Sequence, residues 1–252
     1  MHIAALLLAL TTQTADTIRL EVGSPHVDGR IYAPHAARVR AWIGEGDKKQ
    51  LRTEWTNVLT IGDSAGKAVH RWVTRGSQLA ANGDTVRWEL KQTYDARTLA
   101  PYGIVRSASN GNAYNYRIDG KRVTGTKRAN KDAPVETVDF TVDRLGFVAS
   151  ASDLVPLAVG FKPGRVILVP LWGPNMPTAE QRVFIVLGKA DVDVEGTKIN
   201  AWKVEERRHA DSKLLATWYL LEKSPYMVYG EIPMPDGSIQ RYTEVEISPP
   251  PL

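Results

Sequence analysis

The sequence predicts an all-β protein, built as an antiparallel meander of hairpins with one short helix. Apolar residues recur at every second position along residues 114–118 and 137–142, and along residues 88–94 with Gln92 as the one exception, which is typical of strands with one buried face. Strands do not alternate with long helices along the chain, as a parallel sheet would require. Six dipeptides suited to two-residue hairpin turns separate the predicted strands: Asp28-Gly29, Asn82-Gly83, Asn110-Gly111, Asp119-Gly120, Glu195-Gly196 and Asp236-Gly237.

The composition excludes several classes of protein. The 252 residues are 43% hydrophobic and 24% charged, and they include no cysteine. A disordered tail, a disulfide scaffold, a thiolate zinc site, a cysteine nucleophile and an acylated lipoprotein are therefore excluded. Thirty-two Lys and Arg against 28 Asp and Glu leave a net charge of +4, with the two signs interspersed. Nucleic acid is not a predicted partner, because phosphate binding needs clustered cations.

Residues 1–15 are predicted to be a secretory signal peptide that is cleaved after Ala15. Residues 3–10 are an unbroken apolar run, followed by small and polar residues and then by charged, alternating sequence, as in an exported protein. The run is too short to cross a bilayer, and no other run approaches the ~20 residues that a membrane helix needs. We therefore expect a periplasmic or secreted protein that does not span the membrane. A buried first strand is the alternative interpretation of residues 3–10.

The rest of the chain divides into three predicted segments. Residues 16–90 form an N-terminal β region that shares the sheet, and residues 91–248 form the main antiparallel β domain. Residues 249–252 form a tail, because the consecutive prolines of this segment cannot donate hydrogen bonds to a strand ladder.

One helix is predicted in the middle of the chain, over residues 153–159. Ser150 or Ser152 can cap its start, and Gly160 can end it. Pro156 limits this helix to a turn or two unless the proline falls in the first turn.

Two segments break the alternation, because residues 166–169 and residues 183–187 are apolar at every position. Such runs are typical of strands covered on both faces. A Pro-rich loop over residues 170–177 is predicted between them. The region is either ordinary core or a concave apolar cavity with this loop as its lip. If it is a cavity, its predicted ligand-binding residues are Phe161, Trp172, Met176 and Phe184, with Trp172 placed in the loop.

The one string that resembles a catalytic motif is Gly62-Asp63-Ser64-Ala65-Gly66. It matches the G-x-S-x-G turn that exposes the serine of lipase-type esterases, and it fits a strand before Ser64 and a helix over residues 67–74. The chain lacks the upstream glycine-rich oxyanion loop and the later βα units that carry an acid and a histidine. An ordinary turn explains the string, and an esterase using Ser64 is kept as the alternative function.

No metal site or cofactor is predicted. The histidines are scattered without ligand spacing, and there is no H-E-x-x-H string. Asp191, Asp193 and Glu195 fall on one face of a predicted strand and suit a hard cation such as calcium. The favoured interpretation is a solvated strand face, with Val192 and Val194 pointing inward.

Five stretches of the chain resemble an exported bacterial domain family of unknown function. They are residues 94–99, 118–123, 152–160, 194–196 and 217–226. Domains of this family are similar in fold to the periplasmic lipoprotein carriers. The resemblance implies a curved antiparallel meander that forms a half-barrel around a helical plug, and it supplies no catalytic residues.

Taken together, these observations predict an exported, β-rich protein without catalytic activity. Its predicted function is to bind an apolar ligand, such as a lipid or acyl chain, or to act as a cell-envelope scaffold. The predicted partners are accordingly a hydrophobic small molecule or a lipoprotein, or another envelope protein.

Overall fold

The computed structural model describes residues 16–44, 48–80, 83–174, 176–210 and 212–247. These residues form one open, curved sheet of sixteen strands with one short α-helix, which confirms the predicted all-β class. The predicted signal peptide, residues 1–15, and the predicted tail, residues 249–252, lie outside the described residues. Within the described part of the chain, no helix is both long and apolar enough to cross a membrane.

The strands are numbered in chain order. They are β1 (Thr17–Arg19), β2 (His35–Ile43), β3 (Gln50–Ser64), β4 (Lys67–Leu79), β5 (Thr85–Asp95), β6 (Pro101–Ala108), β7 (Ala113–Asp119), β8 (Arg122–Arg128), β9 (Glu136–Thr141), β10 (Phe147–Val148), β11 (Val166–Trp172), β12 (Glu180–Val194), β13 (Thr197–Arg207), β14 (Leu214–Leu220), β15 (Met227–Pro233) and β16 (Ile239–Glu246).

Two antiparallel meanders, β2 to β9 and β11 to β16, make up most of the sheet. They are joined where β16 pairs with β2, with Tyr242 opposite Ala41 and Glu244 opposite Val39. The short strands β1 and β10 pair in parallel with β11. Residue 90 lies inside β5, so the sheet continues through the predicted boundary between residues 16–90 and 91–248, and that division stays a prediction.

Most of the predicted turn dipeptides connect neighbouring strands, as the sequence indicates. Glu195 and Gly196 join β12 to β13 with φ of 52° and 86°, in the left-handed region that a type I′ turn requires. Asp28-Gly29 differs, because a 3-10 turn over Gly29–Ile31 follows it. The side chain of Asp28 accepts a hydrogen bond from the backbone N–H of Arg30, which favours this local turn over a hairpin.

The helix α1 (Leu154–Val159) packs into the concave side of the sheet behind a 3-10 turn over Ala149–Ala151. Pro156 is in its first turn, and Gly160, with φ of 84°, ends it as predicted. The predicted serine caps are not used. Asp153 occupies the N-cap position, and its side chain makes no capping hydrogen bond.

Trp172 is not in a loop, so that prediction is wrong. It is the last residue of β11, pairs with Val148 of β10, and is fully buried. Its ring can be buried because the indole Nε1 donates a hydrogen bond to the carbonyl oxygen of Met176, at 3.0 Å. The predicted covering of residues 183–187 on both faces is also incomplete, because Leu187 is 47% exposed.

The far half of the β12–β13 hairpin packs on the outer face of the sheet. A register shift after Val186 separates this half from the rest of the pair, and Val194 and Ala201 join Val228 in a second hydrophobic cluster. Glu195 at the tip lies 3.3 Å from a guanidinium nitrogen of Arg40 on β2. The convex face is therefore partly covered by the protein itself.

Candidate functional site

A cavity of about 410 Å³ lies between the concave face of the sheet and the segment 149–154 that leads into α1. Its walls come from β3, β4 and β5 on one side and from β13 to β16 on the other. Pairing of β16 with β2 brings these two groups of strands together. The cavity therefore lies where the two meanders meet.

Four partly exposed aromatic residues form a continuous row along the sheet side of this cavity: Trp88, Trp55, Tyr242 and Trp218. Their ring centroids are 6.4 Å apart for Trp88 and Trp55, 5.9 Å for Trp55 and Tyr242, and 6.4 Å for Tyr242 and Trp218. These separations are typical of aromatic pairs in contact. The row, which we call the aromatic row, crosses the sheet from β5 to β14.

Two glycines make room for the aromatic row. A Cβ atom on Gly76 would lie 2.6 Å from the Cβ of Trp55 and 2.9 Å from the ring of Trp88. A Cβ atom on Gly230 would lie 2.8 Å from the ring of Trp218. Because glycine has no side chain, the rings pack directly over the backbone of β4 and β15.

A buried hydrogen-bond chain, from Thr74 through Asn57 to Glu244, runs along the same wall. The hydroxyl of Thr74 donates to Asn57 Oδ1 at 3.0 Å, and Asn57 Nδ2 donates to Glu244 Oε1 at 3.2 Å. Glu244 is 4% exposed. Burial and the nearby carboxyl of Asp153 hold the pKa of Glu244 well above its usual range. Neither of these two neighbours, Asn57 and Asp153, carries a positive charge.

Glu206 is the second acidic residue of the wall. The indole Nε1 of Trp218 donates to its Oε2 at 3.0 Å, which links this acid to the aromatic row. Arg182 Nε lies 3.6 Å from its Oε1, at the outer range of an ion pair. Burial raises the pKa of Glu206, while the bond from Trp218 and the charge of Arg182 act in the opposite direction.

Asp153 is the third acidic residue, and it faces the sheet from the start of α1. Burial raises its pKa from 3.8 to about 6, and the charge of Glu206 adds to the rise. The charge of Glu206 thus raises the pKa of Asp153, and the charge of Asp153 raises that of Glu244. No lysine, arginine or histidine occurs among the described residues that line it.

The four residues predicted to bind a ligand lie elsewhere in the core, not in the lining of this cavity. Phe184 is fully buried opposite Ile167, and Trp172 is buried beside Met176. Phe161 stacks on Trp202 with ring centroids 5.3 Å apart. Trp172 and Met176 are thus in contact, whereas the structure places Phe161 and Phe184 in separate packing contacts.

The predicted catalytic turn at Ser64 has the geometry of a β-hairpin. Ser64 ends β3 and pairs with Lys67, the first residue of β4. Ala65 and Gly66 carry the positive φ angles of the turn, and Asp63 accepts a hydrogen bond from the N–H of Gly66. The predicted helix over residues 67–74 is a strand, so the strand-to-helix elbow of esterases is not formed here.

The predicted acidic residues at the end of β12 interact with neighbouring groups of the protein. Asp191 accepts a hydrogen bond from Asn200 and pairs with Lys198 at 3.0 Å, while Asp193 accepts from the N–H of Gly196. Within the described ranges, no group of three or more His, Asp or Glu residues is arranged to hold a metal ion.

A comparison with solved structures shows a likeness in fold. A crystal structure of a β-barrel-like protein of the domain of unknown function DUF1849 from Brucella abortus covers 85% of this chain and 98% of that chain. The two are 11% identical, with a TM-score of 0.47. No known family model matches this chain, and a search of curated proteins finds no match either. The resemblance to the exported bacterial family stays a prediction.

Proposed function

We propose that this protein is a non-catalytic binding protein, which holds the apolar part of a small ligand in the cavity beside the aromatic row. An acyl chain, as expected from the sequence, is one example of such an apolar group. The observation that carries the proposal is the cavity of about 410 Å³, which is lined on one side by the four partly exposed residues of the aromatic row. Cavities of roughly 300–1,000 Å³ with aromatic walls and a few polar groups are typical of small-molecule sites.

Partial exposure of the aromatic row supports this proposal. Tryptophan and tyrosine in a closed core are covered by neighbouring side chains, whereas these four rings border open space on the concave face. A ligand that covers them removes apolar surface from water, which stabilises the complex by about 25 cal/mol for each Å² buried.

An occluding variant tests the proposal. Ala149 borders the cavity and is exposed, so Ala149→Trp can fill the space without displacing a core residue. We expect the neutral dye Nile red to bind the native protein and to bind Ala149→Trp at least about tenfold more weakly. The matched control is Ala68→Trp, at an exposed position of β4 outside the cavity. No dye binding, or equal binding by Ala149→Trp, would refute the proposal.

We also propose that the protein is exported, which rests on the apolar run at residues 3–10. Amino-terminal sequencing of the protein recovered from the periplasm or the medium tests this. The expected first residue is Asp16, and recovery of the uncleaved chain in the cytoplasm alone would contradict it.

A further inference from the structure

We propose that the ligand of this cavity carries a substituted ammonium group, which is held between the aromatic row and the carboxyl groups of Glu206 and Glu244. This inference rests on the proposed function and adds the chemical class of the ligand. It follows from three features of the cavity: its charge, its aromatic surface and the burial of Glu244.

The charge of the cavity is opposite to that of the whole protein. All three charged residues that line it, Asp153, Glu206 and Glu244, are acidic, although the chain has a net charge of +4. Negative groups gathered in a partly enclosed space favour a positive ligand, because the low dielectric strengthens their field. The same charges disfavour a fatty acid, whose carboxylate would be repelled.

The aromatic row suits an organic cation. The faces of tryptophan and tyrosine rings carry partial negative charge and attract ammonium groups, and tryptophan does so most strongly. Three of the four rings are tryptophan, and Trp218 is hydrogen-bonded to Glu206 at 3.0 Å. One end of the row therefore places a carboxyl at the edge of an aromatic ring, so an ammonium group over that ring also lies near a negative group.

The burial of Glu244 beside the cavity is the third feature that suits a cationic ligand. A buried carboxyl is normally paired with a positive group, hydrogen-bonded on all sides or held in its protonated form, since an isolated buried charge is costly. Glu244 is 4% exposed and borders the cavity, and its described hydrogen bond comes from the neutral amide of Asn57. An ammonium group in the cavity would favour the ionised form of this carboxyl, because the two charges attract each other.

A metal ion does not account for these features. The described acids do not form a group that could hold a metal, and tryptophan rings are not ligands for hard cations. A cation with apolar substituents uses both the carboxyl groups and the rings.

Four ligands with the same eight-carbon tail test the inference: octyltrimethylammonium, octanol, octanoate and octyl glucoside. Calorimetric titration, below the micellar concentration of each amphiphile and below the solubility limit of octanol, gives each dissociation constant. We expect octyltrimethylammonium to bind at least about tenfold more tightly than the other three. Tightest binding by octanoate, octanol or octyl glucoside would overturn the inference and leave the proposed function standing, whereas failure of all four to bind would refute both.

Variants identify the groups responsible. Glu244→Gln keeps the size of the side chain and an acceptor for Asn57, and we expect it to lower the preference for the cation about tenfold. Glu246→Gln is the matched control, because Glu246 lies on the same strand, is exposed and is outside the cavity. If Glu244→Gln fails to fold, as judged by circular dichroism, Trp55→Phe takes its place and the same direction is expected. An unchanged cation preference in the folded variant would overturn the inference.

Discussion

Replacing Asp153 by asparagine should make the protein more stable at neutral pH. Burial raises the pKa of this carboxyl from 3.8 to about 6, so the folded protein holds the proton more tightly than the unfolded chain. The stability that this proton contributes is fully present below pH ~4 and is lost as the pH rises to ~6. At pH 7 the native Asp153 is ionised in a site that disfavours the charge, which lowers the stability of the folded protein. An uncharged asparagine avoids this loss.

The size of the gain follows from the same pKa values. A rise from 3.8 to about 6 corresponds to about 3 kcal/mol, since each pKa unit is about 1.4 kcal/mol. Asp153 is only partly buried and borders the cavity, so water screens part of the effect and ~3 kcal/mol is an upper bound.

Urea unfolding at pH 4 and at pH 7 measures the prediction. The free energy of unfolding of Asp153→Asn should exceed that of the native protein at pH 7 and match it at pH 4. Asp139→Asn is the control, because Asp139 is exposed and its ion pair with Arg122, at 2.7 Å, lowers its pKa, so this change should not stabilise the protein. A gain for Asp153→Asn that is equal at both pH values would show that its charge is not the cause.

Two further predictions concern packing on the two faces of the sheet. Gly76→Ala should lower the free energy of urea unfolding by about 1–3 kcal/mol, because its Cβ would lie 2.6 Å from that of Trp55. Gly62→Ala should cost less, because its Cβ would meet only a movable guanidinium group. Equal losses for the two variants would contradict this reason. On the outer face, Glu195→Gln should change stability by less than about 1 kcal/mol, since its ion pairs are partly solvated. Val228→Ala, in the buried cluster under the β12–β13 hairpin, should lower stability more, by about 1–3 kcal/mol. A larger loss for Glu195→Gln than for Val228→Ala would show that apolar packing does not hold this hairpin on the sheet.

The strands could be predicted because their signals are local. Along β5, the alternation places Trp88, Leu90, Gln92 and Tyr94 on one face, and the structure buries that face toward the core and the cavity. Turn dipeptides such as Glu195-Gly196 depend only on the φ angles of two residues. Both signals lie within a few consecutive residues, so a single sequence is sufficient to recognise them.

The cavity could not be predicted, because its walls come from strands that are distant in sequence. Trp55 meets Tyr242 only through the pairing of β16 with β2, which no local pattern encodes. On β16, Tyr242 and Glu244 alternate with Thr243 and Val245, and both sets contain one apolar and one polar residue. The alternation therefore does not indicate which face of β16 is buried, and the burial of the Glu244 carboxyl could not be predicted from it.

The raised pKa values and the proposed cation are linked through stability. Burial holds the pKa values of Asp153, Glu206 and Glu244 above their ordinary values, so ionising these carboxyls lowers the stability of the free protein. A bound ammonium group favours the ionised carboxyls and lowers these pKa values, so binding and ionisation stabilise each other. The stabilisation that such a ligand gives should therefore grow as the pH rises and these carboxyls ionise, which for Asp153 happens near pH ~6. A neutral ligand held by the aromatic row alone has no charge to interact with the carboxyls, and its effect on stability should vary much less over that range.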